Sequence, residues 1–379
     1  MATHILTVTK KTFKIHLNYM FIGTGKNNSA HQSSALADIL GIRNNDNIIF
    51  YVMNVGFFGI FKAIGNVFYE YDANHLQYLG GELGNKTLTY RMEIKFREVY
   101  EIPISEWNMM ENPDNIKGNS ILNMQWSWIF KKLNASRGCL AIDNHEFELF
   151  QNLLSDGNIK LTNVSNYDYV NKKIIELNNG LSYDNSKTNV EPKSSSIISK
   201  IRIEDDLRIL FTAQAGLNPI LDTVLDSEKN GAIDFIANEI LCSFSERKMD
   251  LLFGTNEDKC LLIELKNKFI FNDSIYNQIM EYARWVSAYK KHYKDIVPIL
   301  VLREARDVAP RKSCKYFKYL SKENQLNDEK SDWYQKVIDS LFTAKQDLKL
   351  KDICNLSELQ VYTFGVDNEG RLLEFNKIA

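Results

Sequence analysis

The sequence predicts an α/β protein of two domains, a small N-terminal β-barrel with helices and a C-terminal mixed sheet flanked by helices. Strand-like alternation is interspersed with helical spacing in both halves. A polar, Ser/Asn-rich stretch with Pro192 separates the halves. The 379 residues also suffice for two or three hydrophobic cores. We therefore predict domains at 1–158 and 201–379, joined by a linker over 159–200.

The composition is typical of a soluble protein, with 44% hydrophobic and 25% charged residues. A net charge of −2 excludes a globally basic surface, so any basic footprint for nucleic acid must be local. The five scattered cysteines form no Cys-x-x-Cys pair, which disfavours disulfides and structural zinc and indicates a reducing compartment. Residues 1–14 lack a signal-peptide core and the apolar run 48–61 is too short for a bilayer, so we expect a cytoplasmic protein without a membrane partner.

The N-terminal elements follow from local patterns. Weak alternation predicts a strand over Thr7–Leu17, and helical spacing predicts a helix over Ser33–Leu40. Next come a polar turn, two strands around a Gly-containing turn, and a strictly alternating strand over Tyr90–Pro103. Two short helices are predicted over Trp126–Leu133 and Asp143–Leu154.

The C-terminal elements begin with a helix from Ile203. Its first turn is acidic, and negative side chains are stabilised by the positive end of the helix dipole. Segments 217–225 and 234–244 are compatible with helix or strand. A strand hairpin and an amphipathic helix then occupy 249–289. A buried strand over Val297–Leu302, a helix over Trp333–Phe342 and a terminal hairpin with DNEG at its tip complete the domain.

The hairpin carries the main functional motif, Asp250-x13-Glu264-x-Lys266. Alternation places Glu264 and Lys266 on one face of their strand, and one of two plausible registers points Asp250 the same way. Carboxylates supply the hard oxygen ligands that Mg²⁺ prefers, and a lysine can orient water or neutralise transition-state charge. On the following helix Gln278 lies one turn before Tyr282, so the two are neighbours.

These residues resemble the PD-(D/E)xK nuclease superfamily, and in particular its branch with a Gln-x-x-x-Tyr helix, which includes archaeal mismatch and flap endonucleases. The resemblance implies a restriction-endonuclease-like fold in which Asp250 and Glu264 bind Mg²⁺, with Mn²⁺ as a possible substitute, and Lys266 is catalytic. It also implies that Gln278 and Tyr282 support the site or contact DNA. The resemblance further implies an additional acidic metal ligand from the preceding helix; Glu204 matches that place best, Glu239 is the competitor, and the long insert before Asp250 leaves the assignment open.

The same residues also have a purely structural interpretation. Glu264 and Lys266 could form a solvated pair, Asp250 could be a strand-edge charge, and Tyr282 could belong to the core. A carboxylate within the apolar LLIEL strand is costly unless it is paired or metal-bound, which favours the functional interpretation.

The N-terminal half resembles the EVE, YTH and PUA-like group in its Asn-Asp turn before IIFYV, its Gly-Ile-Phe strand and its later Ser-Arg segment. This resemblance implies a base-reading domain that holds a flipped, often modified base between aromatic walls. The predicted nucleic-acid contacts are aromatic walls, an amide that reads the base edge, and basic residues near phosphate: Tyr51, Phe57, Phe58, Trp126, Trp128, Asn54, Lys131, Lys132 and Arg137.

Together these motifs predict a Mg²⁺-dependent endonuclease acting on double-stranded DNA, with modification-dependent restriction as the leading function. A repair nuclease for mismatched, flapped or branched DNA is the second interpretation, and a non-catalytic nucleic-acid binder is the third. A homodimer is expected because a double-strand cut usually needs two sites. The sequence leaves open the modified base, the recognition sequence, the oligomeric state and the choice between DNA and RNA.

Overall fold

The computed structural model describes residues 2–25, 32–70, 78–83, 88–105, 138–162, 166–177, 181–184, 190–191, 200–242, 247–304, 326–348, 353 and 355–378. The chain forms two compact units. The first comprises Met1–Ile197 and Asp234–Leu241, and the second comprises Ile198–Ile233 and Cys242–Ala379. Both belong to a mixed α/β fold built on open sheets.

The first unit is organised around one mixed sheet. Its described strands are β1 (Thr3–Val8), β2 (Phe21–Thr24), β3 (Asn47–Val52), β4 (Gly56–Glu70), β5 (Tyr90–Glu98), β6 (Cys139–Ile142) and β9 (Val190–Glu191). The order is β2-β5-β4-β3-β1-β6, with β9 beside β4. Closure would require pairing of the two end strands. Among the described strands β2 and β6 are not paired, so the predicted β-barrel is corrected to an open sheet.

The predicted strand over Thr7–Leu17 is wrong. Strand β1 ends at Val8, and helix α1 (Lys10–Tyr19) begins directly after it. The reason is a capping box, in which the Thr12 amide donates to Thr9 Oγ1 at 3.2 Å and the Thr9 amide donates to Thr12 Oγ1 at 3.0 Å. The predicted helices over 33–40 and 143–154 are confirmed as α2 (Gln32–Leu40) and α3 (Asn144–Ser155). The predicted helix over 126–133 lies outside the described residues.

Part of the predicted linker is instead folded. Strands β7 (Asn166–Val170) and β8 (Lys173–Leu177) form an antiparallel hairpin within the first unit. The ring of Tyr167 is buried 4.5 Å from that of Phe96, and the ring of Tyr169 lies 5.2 Å from that of Phe13. These alternating tyrosines bury enough surface to order a segment whose polar composition resembles a linker.

The second unit contains the mixed sheet flanked by helices that the sequence predicts. Its strands, in sheet order, are β11 (Arg247–Thr255), β12 (Lys259–Lys266), β13 (Asp295–Arg303), β14 (Gln360–Val366) and β15 (Leu372–Lys377). Strands β12, β13 and β14 are parallel, whereas β11 and β15 run antiparallel to their neighbours β12 and β14. The central strands are almost continuously apolar because both faces of the sheet are buried.

The helices of this unit are α4 (Glu204–Gln214), α5 (Pro219–Leu225), α6 (Ser227–Asn230), α7 (Asp273–Tyr289) and α8 (Leu326–Leu348). Helices α4 and α7 contact β12, the strand that carries the predicted motif. The segments left open by the sequence become helix α5 and strand β10 (Ile233–Cys242), of which Asp234–Leu241 belongs to the first unit. No helix in the described parts of the chain is both long and apolar enough to cross a bilayer.

Candidate functional site

The β11–β12 hairpin brings Asp250 beside Glu264. The antiparallel register pairs Leu251 with Ile263 and Leu252 with Leu262. The backbone amide of Leu265 donates to Asp250 Oδ2 at 2.9 Å, which fixes the aspartate across the two strands. Of the two registers that the sequence allowed, the structure therefore has the one that joins the carboxylates.

Lys266 lies at the centre of this cluster. Its Nζ is 2.5 Å from Glu264 Oε1, 3.9 Å from Glu204 Oε1 and 4.0 Å from Asp250 Oδ2. It also donates to the carbonyl of Leu265 at 2.8 Å. One ammonium is thus shared by three carboxylates, of which Glu264 is 1% exposed and Glu204 is 42% exposed. The cluster therefore has a buried carboxyl group, Glu264, at its bottom and a solvent-exposed one, Glu204, at its edge.

Burial and mutual repulsion set the electrostatics of the cluster. Burial, followed by the neighbouring Asp250 carboxylate, raises the pKa of Glu264 to about 8 despite the ion pair with Lys266. Burial alone would lower the pKa of Lys266, but Glu264, Asp250 and Glu204 outweigh it and raise that pKa, so the side chain stays an ammonium. Burial also raises the pKa of Glu204. The cluster carries more negative charge than a single lysine can neutralise.

The second oxygen of Glu264 has a different environment from the first. Glu264 Oε2 is buried and accepts no hydrogen bond from any described residue. An unsatisfied buried acceptor destabilises the folded state, so this oxygen is suited to coordinate a cation. Within the described ranges no three His, Cys, Asp or Glu side chains are already arranged to hold a metal ion. The carboxylates are instead gathered around the ammonium of Lys266.

Gln278 and Tyr282 meet on the inner face of α7. The side-chain amide of Gln278 donates to the Tyr282 hydroxyl at 2.6 Å, and that hydroxyl donates to the Lys248 carbonyl at 2.5 Å. Burial and then the negative charge of Glu264 raise the pKa of Tyr282, so the hydroxyl keeps its proton. The pair therefore connects α7 to β11 two residues before Asp250.

The structure adds two residues that the sequence motif does not contain. The Asn267 side chain donates to the Arg202 carbonyl at 2.9 Å, and its backbone amide donates to Glu204 Oε2 at 3.4 Å. Arg303, at the end of β13, donates to Asn267 Oδ1 at 3.2 Å. Asn267 thereby joins the end of β12 to the start of α4. Its position directly after Lys266 is the only sequence signal that could have identified it.

Of the two candidates for the additional acidic residue, Glu204 contacts the cluster. Glu204 stands at the first position of α4 and reaches both Lys266 and the Asn267 amide. Glu239 lies within β10, where its φ of 45° is left-handed.

Three of the candidate base-reading aromatic residues belong to the core of the first unit. Tyr51, Phe57 and Phe58 are at most 3% exposed. The Tyr51 and Phe57 rings are 4.9 Å apart, and Phe58 lies 5.0 Å from Phe13. Filled core positions offer no wall to a base, which corrects the predicted role of these three. Asn54 is exposed in the β3–β4 turn. Trp126, Trp128, Lys131, Lys132 and Arg137 lie outside the described residues.

Comparison with known proteins gives structural neighbours only. No protein-family model and no curated protein matches the chain. The structure of human THYN1 protein in complex with 5-methylcytosine containing DNA matches at 10% identity, covers 41% of this chain and 99% of that chain, and has a TM-score of 0.29. A protein from Rhodopseudomonas palustris matches at 14% identity, with coverages of 41% and 93% and a TM-score of 0.26.

A further match, a protein from Pseudomonas syringae, has 10% identity, coverages of 40% and 99% and a TM-score of 0.27. All three TM-scores are below 0.5. The likeness therefore assigns no site or ligand to this chain.

The raised pKa of Glu264 predicts a pH-dependent stability. Its ordinary value is 4.5 and its folded value is about 8, so between these pH values the folded state holds a proton that the unfolded chain has lost. The stabilisation is fully present below pH 4.5 and is lost as the pH rises to 8, with a limiting slope of about 1.4 kcal/mol per pH unit. Urea unfolding in chelator should show this slope in the wild type and not in Glu264→Gln.

An equal slope in Glu264→Gln would show that another group causes the pH dependence. Glu257→Gln, an exposed substitution in the β11–β12 turn, is the matched control and should keep the wild-type slope.

Proposed function

We propose that the second unit is a metal-dependent endonuclease that hydrolyses phosphodiester bonds in DNA. One observation carries the proposal: Glu264 places an unpartnered buried oxygen beside Asp250, Glu204 and Lys266 at the end of β12. Hard oxygen donors beside a single fixed cation suit chemistry at a phosphate, where negative charge increases at the transition state.

The three carboxylates of Asp250, Glu264 and Glu204 are the residues that would hold Mg²⁺ or, as a substitute, Mn²⁺. When bound, such an ion polarises a phosphate oxygen and lowers the pKa of a water molecule. Lys266 keeps its proton because of its acidic neighbours, so it acts as a fixed positive charge towards the phosphate and not as a general base. Gln278 and Tyr282 hold β11 and α7 together behind the cluster.

For the substrate we propose double-stranded DNA carrying a modified base, cleaved in a restriction reaction. The support is the sequence resemblance of the first domain to base-reading domains. With the aromatic residues at 51, 57 and 58 in the core, the remaining candidates for the pocket are Trp126 and Trp128. Two such nuclease sites would produce a double-strand cut, which is the reason to expect a homodimer.

Removal of the central residues tests the chemistry. Asp250→Asn, Glu264→Gln and Lys266→Met should each lower the cleavage rate by at least about a thousandfold, because each removes a charge that acts on the transition state. DNA binding should persist in a gel-shift assay with chelator. Glu257→Gln should cleave at the wild-type rate. Wild-type cleavage by Glu264→Gln would refute the proposed site.

Asn267→Ala tests the role of the newly identified neighbour. Residues that orient metal ligands typically contribute 10- to 100-fold, so cleavage should fall by about that factor while KM for DNA stays unchanged. Because Asn267 acts through Glu204, the substitution should add little to Glu204→Gln in a double-mutant cycle. Lys268→Ala, the exposed neighbour, is the control. Additive losses would show that Asn267 acts independently of Glu204.

A cleavage panel tests the substrate. Methylated, hydroxymethylated, unmodified, mismatched and flapped duplexes are compared with Mg²⁺ and with chelator. We expect cleavage of a modified duplex in preference to the unmodified one, and Trp126→Ala or Trp128→Ala should reduce this preference. Preference for mismatched or flapped DNA would identify a repair nuclease instead. Absence of cleavage, together with no Mg²⁺ or Mn²⁺ binding, would identify a non-catalytic nucleic-acid binder.

A further inference from the structure

A second charged cluster lies in the same unit, at the other end of the sheet. A cavity of about 440 Å³ is formed where the parallel strands β12, β13 and β14 begin. Its lining includes four lysines, which come from α6, β12, α8 and β15: Lys229, Lys259, Lys345 and Lys377. Four separate elements thus each contribute a lysine to the lining, and the Lys259 ammonium donates to the Lys229 carbonyl at 2.5 Å. The sequence motif does not include any of these residues.

The lining is electrostatically unbalanced. Its carboxylates are Asp295 and Glu358, so the ammonium groups outnumber them two to one. Burial, followed by repulsion from Lys229 and Lys345, lowers the pKa of Lys377, and Asp226 opposes this only in part. Like charges gathered around one cavity are destabilising unless an anion lies near them.

A buried amide adds a neutral donor to the cavity. Gln360 is 6% exposed and lines the cavity at the start of β14. Its Oε1 accepts from the Tyr362 hydroxyl at 3.0 Å and from the Lys377 ammonium at 3.5 Å, which leaves the NH₂ group as the other end of the side chain. That nitrogen donates to no residue in the described part of the chain. An amide donor among ammonium groups is suited to an anionic oxygen ligand.

We propose that this cavity binds a small anion that carries two or more adjacent phosphate groups. The volume lies within the range of about 300–1,000 Å³ that is usual for small-molecule sites, and the concave shape suits a compact ligand more than a duplex. Lysines act as point charges on phosphate, and four of them can neutralise several phosphate oxygens. Lys259 and Lys266 are the first and last residues of β12, about 23 Å apart, so this site is distinct from the carboxylate cluster.

The test is calorimetric titration of the full chain with inorganic pyrophosphate, in chelator so that no divalent ion contributes. We expect saturable one-site binding that weakens as salt increases. Lys345→Gln and Lys377→Gln should each weaken it by about tenfold, the loss of one charge-assisted contact. Lys336→Gln is the matched control, since it lies on α8 nine residues before Lys345 and therefore on the opposite face of the helix. Thermal melts verify that each variant is folded.

Several outcomes would overturn the proposal. These are an absence of pyrophosphate binding, unchanged affinity in the double variant Lys345→Gln/Lys377→Gln, and equal weakening by Lys336→Gln. Loss of binding in Glu264→Gln would place the anion at the carboxylate cluster instead, which also overturns it. Two further titrations, with a nucleoside triphosphate and with a short 5′-phosphorylated oligonucleotide, distinguish a free nucleotide from a strand end as the source of the phosphates. Tighter binding of either one supports the site when Lys345→Gln/Lys377→Gln weakens it, and tighter binding that this double variant leaves unchanged overturns it.

Discussion

The second unit depends on a buried carboxylate at the end of an apolar strand. Strand β12 lies between β11 and β13 in the sheet, and Glu264 is the single acidic residue among its eight positions. A carboxylate with 1% exposure is costly in such a strand, and its ion pair with Lys266 does not offset the cost because its pKa remains raised. The fold therefore keeps an ionisable side chain at a position where an apolar residue would be more stable. Retention of a buried carboxyl group with a raised pKa is typical of a functional site.

The surrounding elements position the other charged groups near Glu264. The hairpin register places Asp250 beside it, and the Leu265 amide holds Asp250 by a hydrogen bond. Glu204 lies at the start of α4, and its position depends on Asn267. Helix α7 contributes no charge to the cluster, and its Gln278–Tyr282 pair connects it to the Lys248 carbonyl. Each contact joins one element to β11 or β12 near the cluster, so small displacements of α4 or α7 would change the spacing of the carboxylates.

The period-two alternation of a strand made this cluster predictable, because it puts Glu264 and Lys266 on one face whatever the tertiary contacts. The same rule failed for the aromatic residues of the first unit. All six residues of β3 are buried, so alternation could not indicate which aromatic side chains face a pocket. Asn267 was not predictable, since its role depends on α4 more than 50 residues earlier. The β7–β8 hairpin was missed because two buried tyrosines outweighed its polar composition.

The two charged clusters of the second unit differ in sign and lie at opposite ends of one strand. Six residues of β12, of which five are apolar, separate Lys259 from Lys266. At about 23 Å, two unit charges interact by about 0.7 kcal/mol at an effective dielectric constant of 20, and salt reduces this further. Each unit of negative charge in the lysine cavity would therefore shift the pKa of Glu264 by at most about half a unit. Any stronger coupling between the clusters would have to be transmitted by a displacement of β12 itself, and the close packing of its buried residues opposes such a displacement.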